Sequence, residues 1–118
     1  MIDGVRVREP DFFSDNRGDY WTTWKAGDFD LKFNHDKVST SNKNVLRGIH
    51  GDNKSHKLVT CLHGEIYFVL VDNRKSSHTF MTWDSMILNE KNKKQVLIPP
   101  GVGNGFFVLS NRCVFHYK

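Results

Sequence analysis

Residues 57–72, KLVTCLHGEIYFVLVD, constrain the fold more than any other stretch of the chain. Two runs rich in Val, Ile, Leu, Phe and Tyr are separated only by His63-Gly64. Branched and flat side chains of this kind suit a pleated surface, and the second run is long enough for a core strand. The pattern recurs along the chain. DYWTTW (19–24) alternates polar and aromatic residues, and MILNEKNKKQVLIPP (86–100) reads as strand, polar turn and strand. GFFVLS (105–110) and CVFHYK (113–118) are joined by the turn SNR, and IPPGVGNG (98–105) is a Pro/Gly-rich corner between sheets. No stretch shows helical periodicity with capping residues. Short strands separated by turns predict an all-β, two-sheet jelly roll with a ligand pocket between the sheets.

One such sandwich accounts for all 118 residues, so a single domain spanning 1–118 is expected. A hydrophobic content of 38%, with nine Phe, excludes a disordered chain. The net charge of +4 is scattered, and its densest cluster, NEKNKKQ (89–95), reads as a solvated loop. Nucleic acid is therefore not the expected partner, whereas a phosphorylated small molecule would need only two or three well-placed cations. Cys61 and Cys113 both lie in apolar runs, as reduced core residues would. No charged-then-apolar leader opens the chain and no apolar run approaches ~18 residues; a cytoplasmic protein, neither secreted nor membrane-inserted, is expected.

VLRGIHGDNKSHKLV (45–59) holds the densest chemistry. Strand alternation puts Val45, Arg47 and Ile49 on one face and Leu46, Gly48 and His50 on the other. Lys57 opens the strand expected to return antiparallel after the turn GDNKSH. A lone histidine in a strand is more often structural than catalytic. Three ionisable groups gathered near one hairpin, however, are costly to desolvate without an anionic ligand or a chemical task. A metal site is not expected: His50, His56, His63 and His116 form no H-x-H pair, and Asp52 or Glu65 would join them at no recognisable spacing. Tyr117 lies two residues from Phe115, so both point to one side. Asp72 and Arg17, taken alone, are a strand-end carboxylate and a turn arginine.

Six ordered blocks, FFSDNRGDYW (12–21), VLRGIH (45–50), KLVTCLHGEIYFVLVDNR (57–74), SSHTFMTW (76–83), LIPPGVGNGFFVLS (97–110) and YK (117–118), together resemble the dTDP-4-dehydrorhamnose 3,5-epimerase family. The resemblance implies a cupin-type jelly roll that works as a homodimer on a nucleotide-diphosphate sugar, without metal or organic cofactor. It further implies that His50 is the general base, Tyr117 the acid on the opposite sugar face, and Lys57 the partner of the enolate oxygen. Arg17 and Arg47 would hold the diphosphate, and Asp72 would be a pocket aspartate.

The chain departs from the family pattern at several of these positions. Asn104 stands where the family has the histidine of HGF, and would offer an amide to a sugar oxygen. His35 and Lys37 fall where a Q-x-N contacts the nucleotide, and Thr22 falls where an acid is usual. The family's aspartate partner for the catalytic histidine has no counterpart, leaving Asp52 or Asp72 as substitutes. The expected function is epimerisation at C3, C5 or both of a 4-keto-6-deoxyhexose. A 3,4-ketoisomerase of the same fold, or a sugar-nucleotide-binding module without turnover, are the alternatives.

Overall fold

The computed structural model describes all 118 residues. Side-chain parity along the central strand shows how the core is made. In β7 (Glu65–Asp72), Ile66, Phe68, Leu70 and Asp72 point inward and are buried, while Tyr67, Val69 and Val71 point outward. β7 belongs to a four-stranded sheet in the order β5 (Leu46–His50), β10 (Val102–Val108), β7 and β8 (Trp83–Asn89). Facing it is a five-stranded sheet in the order β1 (Arg6–Arg8), β9 (Gln95–Ile98), β6 (Lys57–His63), β11 (Arg112–Tyr117) and β4 (Lys37–Asn42). All pairs are antiparallel. A separate hairpin, β2 (Phe13–Asp15) with β3 (Gly18–Tyr20), stands apart from both sheets. The remaining regular element is a 3₁₀ turn at Asp28–Asp30, and no helix is long and apolar enough to cross a membrane.

Between the sheets, the ring of Phe115 packs 4.6 Å from that of Phe106 and 6.2 Å from that of Phe68, centroid to centroid. Fully burying one such side chain contributes about 1.5–3 kcal/mol. Cys61 and Cys113 are free, buried thiols on the neighbouring strands β6 and β11, and contact with Cys113 together with burial pushes the Cys61 thiol up.

Four expectations need correction. DYWTTW is not one strand: β3 ends at Tyr20, and the Thr23 carbonyl is taken by the Arg8 guanidinium (2.7 Å) and the Gln95 amide (2.8 Å) instead of a neighbouring strand. The Pro/Gly corner is shorter than expected, because Val102, Gly103 and Asn104 already pair with Asp72, Val71 and Leu70. The NEKNKKQ segment is not simply solvated: Lys93 is buried, its amine bonding Asp19 (2.9 Å) and the Glu90 carbonyl (2.8 Å). Finally, β5 and β6 form no hairpin. β6 is flanked on both edges by β9 and β11, so residues 51–56 carry the chain across to the other sheet.

Candidate functional site

That crossing builds the site. A cavity of about 440 Å³ opens between the sheets, with Arg47, His50 and Asn104 on the β5–β10 wall and Ser39, Lys57, Phe115 and Tyr117 on the β4–β6–β11 wall. Arg47 and His50 reach the same cavity although strict alternation would put them on opposite faces. The register supplies the reason: Asn104 pairs with His50 and Phe106 with Arg47, a shift between the two strands. The irregularity depends on a close approach of backbones. Gly48 has φ +124°, and a Cβ there would lie 2.5 Å from the Cα of Gly105.

Each polar group is held differently. The His50 imidazole is exposed and makes no hydrogen bond to the protein, while its carbonyl accepts the Asn104 amide at 3.2 Å. Asn104 thus uses one donor on the strand that carries His50. Arg47 donates through Nε to Ser41 Oγ (2.7 Å) and through a terminal nitrogen to the Thr40 carbonyl (3.3 Å). No carboxylate pairs with it, so its charge remains available. Lys57 Nζ lies 3.7 Å from Asp52. The Asp52 carboxylate accepts the backbone N–H groups of Lys54 and Ser55, and with the Lys57 cation these hold its carboxyl below the usual range. Tyr117 packs its ring 5.6 Å from Phe115, on the side that strand parity predicts. Ser39, which sequence reasoning missed, places a buried hydroxyl without a partner beside this cavity.

A second cavity of about 510 Å³ lies on the other side of Lys57 and Tyr117, which line both. His35 and Lys37 line it, together with Lys32, Lys54 and His56, three residues that sequence reasoning left unassigned as ligand contacts. Their signal was present in the segment GDNKSHK, where two basic side chains sit within three residues of Lys57.

Two expected residues lie elsewhere. Asp72 is no pocket aspartate: it is fully buried, bonded by the Arg74 guanidinium (2.8 and 3.0 Å), by Ser77 Oγ (2.8 Å) and by Thr79 Oγ1. The Arg74 contact above all holds its carboxyl far below the usual range. Arg17 projects into solvent from the β2–β3 turn, its guanidinium on Asp15 at 2.6 Å, and lines neither cavity. Neither Asp52 nor Asp72 bonds the His50 ring, so neither substitutes for the family's aspartate. No three His, Cys, Asp or Glu side chains gather as metal ligands would.

The model of the family described as dTDP-4-dehydrorhamnose 3,5-epimerase matches residues 1–118. The chain belongs to the dTDP-4-dehydrorhamnose 3,5-epimerase family. It is 39% identical over 126 residues to the enzyme of that name from Escherichia coli K12, covering 99% of this chain and 68% of that one. The dTDP-6-deoxy-D-glucose-3,5-epimerase of Legionella pneumophila Philadelphia 1, solved with dTDP-4-keto-L-rhamnose, superposes with a TM-score of 0.93 at 38% identity, over 100% of this chain and 67% of that one. ChmJ, a 3'-monoepimerase from Streptomyces bikiniensis solved with dTDP-quinovose, superposes with a TM-score of 0.91 at 27% identity, over 98% and 63%. The all-β cupin-type fold expected from the sequence is therefore that of the epimerases.

Proposed function

We propose that the chain inverts C3, C5 or both of a nucleotide-linked 4-keto-6-deoxyhexose by proton removal and return through an enolate. The observation that carries this reading is one cavity, in an epimerase-family fold, that gathers a histidine, a tyrosine, a lysine and an unpaired arginine. His50 takes the proton from the carbon beside the ketone; the C–H electron pair moves into the C–C bond as the carbonyl becomes an enolate. Lys57 offers an N–H and a positive charge to that oxygen, the atom on which charge develops. Tyr117 then gives its phenolic proton to the carbon from the opposite face, which inverts the centre, and solvent restores both side chains. Arg47 binds the diphosphate. Nucleotide-diphosphate sugars of this class, dTDP-4-keto-L-rhamnose and dTDP-quinovose, are bound in two of the solved relatives.

The working unit in this reading is a homodimer. Two features support it: the outward face of the four-stranded sheet is apolar, and Arg17 does not reach the cavity of its own protomer. A second copy packed on that face would let each β2–β3 hairpin carry Arg17 to the other's diphosphate.

Incubation with dTDP-4-keto-6-deoxyglucose in D₂O, followed by NMR, tests the chemistry. Deuterium is expected at C3 or C5 with inversion, His50→Ala should abolish exchange, and Tyr117→Phe should reduce inversion more than exchange. Relocation of the carbonyl would indicate the ketoisomerase. Binding of dTDP without any exchange would indicate the module without turnover and sink the epimerase reading.

A further inference from the structure

Residues 21–36 pair with no strand, yet they lie against the outward side of the five-stranded sheet. In β6 and β9 the core takes Val59, Cys61, Val96 and Ile98, so parity turns Leu58, Thr60, Gln95 and Leu97 outward. All four are nevertheless buried, and the 21–36 strap reaches Gln95 through the Thr23 carbonyl (2.8 Å). Further along, Leu31, Phe33 and His35 line the second cavity, which shares Lys57 and Tyr117 with the site.

The strap is hydrogen-bonded to the rest of the protein in two places. At its far end, Asp36 accepts from Lys118 Nζ (2.7 Å) and meets His116 Nε2 at 2.9 Å. At its near end the contacts converge on Arg8. Register sets Arg8, Gln95 and Thr60 in one row across β1, β9 and β6. The Arg8 guanidinium donates to Gln95 Oε1 (2.9 and 2.6 Å), to the Asp28 carboxylate (2.9 Å) and to the Thr23 carbonyl (2.7 Å). It also lies 4.9 Å from the centroid of the Phe29 ring. The backbone there is left-handed, with φ 60° at Phe29 and 54° at Asp30. Residues other than glycine keep that conformation only when their surroundings impose it.

We propose that Arg8 is a positioning residue for ligand binding: it latches residues 23–29 to the five-stranded sheet and so fixes the Leu31–His35 wall of the cavity beside Lys57 and Tyr117. The inference rests on the reading above for the identity of the ligand. With the hexose at His50 and the diphosphate on Arg47, the nucleoside end is the part left to meet this wall. Arg8 lines neither cavity and acts through the strap alone. An unlatched strap becomes ordered only when the ligand arrives, and that ordering is subtracted from affinity and not from proton transfer.

Amide hydrogen exchange, calorimetry with dTDP and initial rates of deuterium entry into the sugar test the latch. Arg8→Ala should strip protection from residues 21–35 while β6, β7 and β11 keep theirs. It should weaken dTDP binding and raise KM by about tenfold, as a strap closed only a tenth of the time would, with kcat within about twofold. Asp28→Ala breaks the latch from the strap side, outside both sheets, and should act in the same direction even if β1 does not tolerate Arg8→Ala. Arg6→Ala, an exposed neighbour on β1 with no side-chain partner, should change none of these quantities. Unchanged strap protection and affinity in both latch variants, a fall in kcat with KM unchanged, or an equal loss in Arg6→Ala overturns the proposal. A parent that binds dTDP without exchanging the sugar removes the epimerase, and the latch is then decided by affinity and strap protection.

Discussion

A carboxylate can be catalytic only where a substrate can touch it, and Asp72 is fully buried and lines neither of the two cavities described above. Arg74, Ser77 and Thr79 all close on it, while Arg74 also donates to the Asp3 carbonyl at 2.6 Å. One buried charge thereby ties β7, the 73–79 loop and the N-terminus together. The sequence motif VDNR shows the aspartate and its arginine two residues apart, but cannot show which way a strand-end side chain turns. Asp72→Asn should destabilise the fold by about 3 kcal/mol, as losing one member of a buried ion pair does. Its folded pKa is depressed, so the stability it contributes is present above the unfolded aspartate value of roughly 4. That contribution is lost as pH falls from there through the lower folded value. Chemical denaturation between pH 7 and pH 2 should show a steep acid limb in the parent and a flatter one in Asp72→Asn. Equal slopes would refute the assignment. By contrast, His50, Arg47 and Lys57 were legible as a group because they crowd into fifteen residues, and Tyr117 because parity ties it to Phe115.

Strands announce themselves by composition and alternation, and β6, β7, β9 and β11 lie close to where the sequence puts them. Which sheet a strand joins is another matter, since it depends on which edges are already taken. The expected β5–β6 hairpin fails for that reason, yet the site survives: both strands border the same inter-sheet cavity, from opposite walls. The β5–β10 register shift was equally hidden, because an interruption of alternation looks like noise until the partner strand is known. Its physical requirement is the Gly48–Gly105 contact. Gly48→Ala brings a Cβ to 2.5 Å from backbone and adds strain at φ +124°. The two together should cost about 1–3 kcal/mol, concentrated in the edge strand. β5 carries both Arg47 and His50, so deuterium exchange should fall by tenfold or more, while the melting temperature drops only moderately and the β-sheet circular dichroism persists. Full exchange in Gly48→Ala would show that the irregular register does not position the base.

At the scale of the molecule, the outer face of the four-stranded sheet is an exposed apolar surface. Parity turns Tyr67, Val69 and Val71 outward, and their β8 partners Ile87 and Trp83 stand beside them. Leu46 and Ile49 on β5 extend the face to its far edge, and Leu46, Ile49 and Trp83 are 72%, 59% and 64% exposed. Side chains of this size across a whole sheet face exceed what a soluble monomer normally leaves uncovered. The proposed homodimer would bury it, and the shape of the protomer is consistent with that reading. The radius of gyration is 14.3 Å, against about 13.5 Å for a compact chain of this length, because the β2–β3 hairpin projects with Phe13, Arg17 and Tyr20 in solvent. Light scattering on the parent should give twice the chain mass. Ile49→Lys/Trp83→Lys places four like charges across the two-fold of a self-complementary interface and should give monomers with an unchanged fold. If Arg17 of one copy serves the cavity of the other, Arg17→Ala should remain dimeric yet weaken dTDP binding, and the monomeric variant should show the same weakening. A monomeric parent with full dTDP affinity would overturn the dimer, and an Arg17→Ala dimer with unchanged affinity would overturn the exchange of arginines alone.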